Sequence, residues 1–344
     1  MKKFLTLVFI GICFLVQAQG LFPTYENGKV VYIDSTGNKV LTTSFARSGL
    51  FQNGLAWMIK DNAIGFINTK GDIAIEPAYE ETQGFFENLA AIVQDDAWGV
   101  INTKGDIIVE PKYVEMGSYS NGLCKFKERS DLFAKWGFID ATGKVVISPS
   151  FENIDNFKDG LAMFIKDSKA GYIDTKGNIV IEAKYNYGAL FTINKKVIYD
   201  RGAFSEGLAS VEVDGKYGYI DKTGKMVIEA KYEYGEDFSE GLAAVKLDNK
   251  YGFINKAGKM VIKPTYSLVE NFSQGLAAVE ITKDEESKWG FIDANGKIVI
   301  PVTFHGPIGF GMDMVFKDGI CQLMISEQVW GYINRSGNVL WKSK

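Results

Sequence analysis

Few residues of this chain could do chemistry, and their types and spacing narrow what kind. His305 is the only histidine. It stands beside Gly306-Pro307 in a stretch of loop composition, and no Ser or Cys is placed to join it in a nucleophilic set. The cysteines are Cys13, Cys124 and Cys321, and none has a second Cys or a His at zinc spacing. No glycine-rich phosphate loop is present. Carboxylates are plentiful, but Asp or Asn recurs singly at 34, 68, 102, 140, 174, 221, 255, 293 and 334, each just before a glycine turn. A calcium loop needs several alternating acids in one turn. One per turn fits a side chain that accepts the backbone N–H groups of its own turn. Neither a metal nor a cofactor is expected, and no catalytic set emerges. Aromatic residues are the class best able to hold a ligand. Tyr185, Tyr187, Tyr232 and Tyr234 fall in matching places and are the candidate ligand-binding residues, since an exposed ring stacks on sugars and suits protein partners. The competing expectation is that they pack inside the fold.

The elements that must position such residues follow from a repeat. An aromatic-Gly-aromatic-Ile-Asp/Asn phrase recurs, as in Trp136-Gly137-Phe138-Ile139-Asp140 and Tyr251-Gly252-Phe253-Ile254-Asn255. Its isoleucines fall at 33, 67, 101, 139, 173, 220, 254, 292 and 333, so the steps are 34, 34, 38, 34, 47, 34, 38 and 41. The base period is 34 residues, interrupted by insertions at 127–134, 186–203, 282–287 and 304–315. An aromatic followed by Gly-Leu-Ala precedes the phrase, as at Phe238 with Gly241-Leu242-Ala243. Asn88 replaces that glycine once, which marks a site of left-handed backbone.

Each unit predicts three short antiparallel strands. Strand one follows Gly-Leu-Ala, strand two carries the aromatic-Gly core, and strand three is the β-branched run after a turn closed by a left-handed Gly. Proline in strand three, as at Pro111, is expected to end pairing because it has no N–H. The expected layout is an N-terminal partial repeat over 29–41, two strands that cap the array, and eight full repeats over about 45–341. Insertions on such arrays map to loops on one face, sometimes the binding face. Residues 186–203 are expected to hold an extra hairpin.

The Trp-Gly-Phe-Ile-Asp phrase, the Thr-Gly-Lys turn and the Gly-Leu-Ala phrase together resemble the WG β-repeat family, also called KWG repeats. The resemblance covers about residues 24–341, with Trp kept at 98, 136, 289 and 330, and Tyr in its place at 217 and 251. It implies a bacterial, β-rich and often exported repeat protein, and it supplies no catalytic residues.

A unit of this size cannot bury a sheet face alone, so stability must come from contacts between neighbours. The expected fold is all-β, an open superhelical, solenoid-like array of stacked units. The alternative is a closed β-propeller, whose blades usually have four strands and about 40 residues or more.

Lys2-Lys3, the apolar run from Phe4 to Val16 and a small residue at Ala18 read as a secretory signal peptide over 1–18, leaving 19–344 as one repeat domain. Without it the chain carries 36 basic and 42 acidic residues. Such a charge excludes a nucleic-acid partner, and no later apolar run is long enough for a membrane span. Cys124 and Cys321 occupy the same repeat position several units apart, too far for a disulfide. These features predict an exported, periplasmic, cell-surface or extracellular protein that is not an enzyme. It would act as a binding or scaffold module for protein or glycan ligands. The alternatives are a polysaccharide- or peptidoglycan-acting hydrolase and a structural spacer.

Overall fold

The fold is seen in a computed structural model, which describes residues 20–128, 133–186, 191–193, 196–198, 202–307 and 314–344. The expected signal peptide and Tyr187 lie outside the described residues. Every regular element among them is a β-strand.

Consecutive strands form nine small antiparallel meanders, here units 1 to 9, starting near residues 22, 48, 81, 115, 153, 208, 234, 268 and 320, with units 5 and 6 joined into one seven-stranded sheet by the pairing of Asn186 with Glu212. Unit 7 shows the pattern. Strand one, Leu242–Leu247, pairs with strand two, Lys250–Asn255, which pairs with strand three, Met260–Tyr266. A short leading strand, Tyr234–Gly235, adds to the free edge of strand one. Units 3, 4, 5 and 8 have the same fourth strand, and single bridges mark its place in units 2 and 9. This strand is two residues long in units 4, 5, 7 and 8, too few to leave a periodic signal, and reaches six only in unit 3, at Glu81–Phe86, so the three-stranded expectation missed it. Unit 1 has a third strand, Phe22–Glu26, ahead of the expected pair, because Gly20-Leu21 stands where Gly-Leu stands in the other units.

Side chains alternate along each strand, and both faces of each sheet are covered. In unit 4, Cys124, Phe126 and Ile139 pack on unit 3, while Leu123, Phe138 and Ile147 pack on unit 5. The second aromatic of the repeat phrase meets the aromatic ahead of the next Gly-Leu-Ala. The pairs Phe66–Phe85, Phe138–Phe157, Tyr219–Phe238 and Phe253–Phe272 all have ring centroids 4.8–5.0 Å apart. Burying each such ring stabilises the fold by roughly 1.5–3 kcal/mol.

The expected array of stacked units is therefore present, and its two ends meet. Eight core clusters join units 1 to 9 in order. A ninth joins unit 9 to unit 1 through Ile320 and Tyr332 against Phe22 and Ile33. The Tyr332 hydroxyl donates to Pro23 O at 3.0 Å, across 309 residues of sequence. Leu340 closes over Gly37, as Leu41 does over Gly71. This contact of the ends is the feature expected of the propeller arrangement. Pro23 lacks an N–H and its carbonyl is taken by Tyr332, so the edge strand of unit 1 is blunted.

Two local expectations change. Strand three runs through its proline: Ile73–Tyr79 contains Pro77, and the register shifts there, so the proline makes a bulge and pairing resumes. The bulge also explains the glycine of the repeat phrase. A Cβ on Gly65 would lie 2.7 Å from Ile75 O and 2.8 Å from Pro77 N. The insertion at 282–287 lengthens the hairpin Ala277–Lys283 with Glu286–Ile292 instead of forming a loop.

Candidate functional site

The meander fixes two ends. Turns between the leading strand and strand one lie at the same end as turns between strands two and three. Lys222 of one turn class bonds Asp159 of the other at 2.9 Å, and Lys256 bonds Glu206 at 2.9 Å. At the opposite end are the turns between strands one and two and the links from strand three to the next unit. There the carboxylate of Glu233, in a link, accepts the N–H groups of Asp248 and Asn249, in a turn, at 3.1 and 3.2 Å.

The first end is uniform. All nine recurring Asp/Asn side chains cap their turns, as when Asn68 Oδ1 accepts the N–H of Lys70 and Asp72 at 2.9 and 3.1 Å. This is the capping role expected of them. The left-handed site is also as expected: Asn88 has φ 66° and Gly241 has φ 81°. Successive turns are linked. Glu206 accepts the Gly241 N–H at 3.0 Å, Glu240 accepts that of Gly275 at 2.8 Å, and Gln274 accepts that of Gly319 at 2.8 Å.

The other end carries irregularities. The insertion at 127–134 lies between strands one and two there, and that at 282–287 extends the same hairpin, keeping a two-residue turn at Asp284-Glu285. Those at 186–203 and 304–315 lie between strand three of one unit and strand one of the next, following the pairing of Asn186 with Glu212 and of Gly306 with Met324. Within 186–203, Phe191–Ile193 pairs with Lys196–Ile198, the extra hairpin that was expected.

Aromatic residues of the first phrase position lie at this end too. Trp136 has the ammonium groups of Lys125 and Lys127 at 4.8 and 4.5 Å from its ring, and Lys127 bridges to Glu115 at 3.1 Å. Lys125 is buried, which pushes its pKa down, while Asp155 pulls it up; its Nζ donates to Ile154 O at 2.9 Å. A shallow surface dimple lined by Asn153, Ile154, Asp155, Met163 and Ile165 has no room for a water molecule and has one carboxylate. A glycosidase needs two. Lys288 Nζ lies 3.0 Å from His305 Nε2, and its other partner is Glu286 at 2.9 Å. The Lys288 ammonium thus holds the histidine ring.

The candidate tyrosines separate. Tyr185 and Tyr232 are buried in the packing between units, and the Tyr185 hydroxyl donates to Gly224 O at 2.9 Å. Both rings contribute to the packing between units. Tyr234 is half-buried between Tyr217 and Tyr251, with both ring centroids 5.8 Å away. The Tyr234 hydroxyl donates to Glu236, and the Tyr217 hydroxyl donates to Glu212 at 3.4 Å. Glu212 pairs with Asn186, the last described residue before the long insertion. Sequence reasoning missed Tyr217 and Tyr251. Their signal was there: in two consecutive units Tyr replaces Trp at the same phrase position.

Cys124 and Cys321 are buried and unbridged, and burial pushes the Cys124 thiol up to about 12. Among the described residues no group of His, Cys, Asp and Glu is arranged to hold a metal ion, and no helix is long and apolar enough to cross a membrane.

Several solved structures are similar in outline. BamB from Moraxella catarrhalis aligns over 86% of this chain and 96% of its own, with 12% identity and a TM-score of 0.43. Kluyveromyces lactis Hsv2 aligns over 80% and 94%, with 11% identity and a TM-score of 0.38. A quinonprotein alcohol dehydrogenase-like protein from Bacteroides thetaiotaomicron aligns over 81% and 74%, with 11% identity and a TM-score of 0.35. No curated protein matches the sequence. The WG-containing repeat matches in eight segments, over 64–96, 98–130, 136–169, 171–195, 198–217, 217–251, 251–283 and 289–306. The chain belongs to the family of WG-containing repeat proteins.

Proposed function

We propose that this is an exported, non-enzymatic binding module that engages a protein or glycan of the cell envelope through its insertion-bearing end. The carrying observation is that the turns between strands two and three repeat one capping chemistry around the circle without interruption, while all four insertions fall between strands one and two or between units. A repeat departs from its pattern where something other than the fold sets the residues. The N-terminal charge, apolar run and small-residue order supports export. The experiment compares the mature chain with a variant in which residues 187–201 are replaced by a short Gly-Ser link. Both serve as bait in envelope extract. Partners enriched by the wild type and lost by the variant support the reading. No enrichment above a bait-free control, or partners retained in full, counts against it.

A further inference from the structure

We infer that Tyr217, Tyr234 and Tyr251, with Glu212, Glu236 and Lys246, form a subsite for a neutral, hydroxyl-rich sugar chain. This rests on the proposed binding role of that end and names its ligand class.

Three observations lead to it. The tyrosines make a ladder across the seam of units 6 and 7, with both centroid spacings at 5.8 Å. They stay half-buried, whereas Tyr219, two residues along the strand of Tyr217, and Tyr232, on the next strand of that sheet, are buried. The ring planes are inclined to one another by 46° and 75°, so the sides of the rings that do not meet each other offer apolar surface to the C–H groups of successive sugar units.

The polar groups around the ladder then select the ligand. Glu212 and Glu236 receive the hydroxyls of Tyr217 and Tyr234. A carboxylate only accepts, and a tyrosine whose proton is already directed at a carboxylate is a poor donor to anything else. A proline-rich peptide presents carbonyl acceptors and few N–H donors, so it meets acceptors with acceptors. A sugar hydroxyl donates to a carboxylate and accepts from an ammonium. Lys246 supplies that ammonium, its Nζ lying 5.7 Å from the Tyr251 centroid. The two carboxylates disfavour uronic acids and sulfated sugars by like-charge repulsion. The hairpin insertion leaves the sheet at Asn186, paired with Glu212, at the edge of the ladder.

The test is affinity electrophoresis of the mature chain in gels holding a soluble neutral β-glucan, a neutral xylan or polygalacturonate. A proline-rich peptide is titrated as competitor. Retardation by a neutral glycan, weakened about tenfold in Tyr234→Ala and in Tyr251→Ala, is expected. Trp136→Ala, with its ring in another unit, keeps wild-type retardation. Thermal unfolding of each variant separates lost binding from lost folding. The inference is overturned if no neutral glycan retards the protein. Equal retardation by polygalacturonate, or tyrosine-dependent binding of the peptide, also overturns it. Extract partners that depend on 187–201 while every glycan fails would remove the sugar and keep the binding role.

Discussion

The two ends of the ring are made from one repeat and are unlike. At the turn-capped end, a carboxylate or amide recurs because it holds backbone: Asn68 caps its own turn, and Glu206 holds the next unit's. At the opposite end, strands one and two meet in tight two-residue turns such as Asp248-Asn249, with φ 52° and 60°, or are interrupted by insertions. The difference teaches where selection for folding stops. Residues that recur in step are explained by the turn or seam they build, and those out of step need another explanation.

The largest expected effect tests whether the regular end is one closed circle. Tyr332→Ala removes a buried ring from the seam of units 9 and 1 and should cost about 3–5 kcal/mol. Tyr332→Phe, which loses only the bond to Pro23 O, should cost about 1 kcal/mol. Urea unfolding measures both. A loss for Tyr332→Ala no larger than for a surface change would show that the ends do not support each other.

Next comes pH. Partial burial pushes the carboxyl of Asp159 up, but bonds from Lys222 and the Gly207 N–H outweigh it and hold its pKa below the usual value. Partial burial likewise raises Glu206, and Lys256 and the Gly241 N–H outweigh it. Depressed folded-state values mean stability that is present above the unfolded pKa and lost as pH falls through the folded one. Both groups are about one-third exposed, so each contributes only about 0.5 kcal/mol after screening. The double variant Asp159→Asn, Glu206→Gln should lower the melting temperature at pH 7 and flatten its fall on acidification. Unchanged acid sensitivity would place the titrating groups elsewhere. Asn68→Ala should cost a similar amount, about 0.5–1.5 kcal/mol, by leaving two turn N–H groups to water.

These effects bear on what the sequence made legible. Period, turn caps and left-handed sites were readable, because each is a local rule written nine times. The leading strand was not, since a pair such as Glu115–Met116 is too short to show alternation. Contact of the ends was not either, since Tyr332 and Pro23 share no local pattern. The tyrosine ladder crosses the repeat frame, joining position 217 of one unit to 234 and 251 of the next. Tyr185 and Tyr234 look equivalent as exposed aromatics until packing buries one and leaves the other half-open.

The smallest effect on stability falls at the irregular end. Replacing 187–201 with a short link removes a hairpin whose two strands, Phe191–Ile193 and Lys196–Ile198, pair with each other. Stability should stay within about 0.5 kcal/mol of wild type, as for other surface changes away from packed or capped features. Unfolding and binding measured on the same preparation make this decisive. A stable variant that no longer binds assigns the insertion to recognition. A variant that loses several kcal/mol makes the hairpin a structural brace, and the contrast between the two ends then collapses into one between two ways of holding a turn.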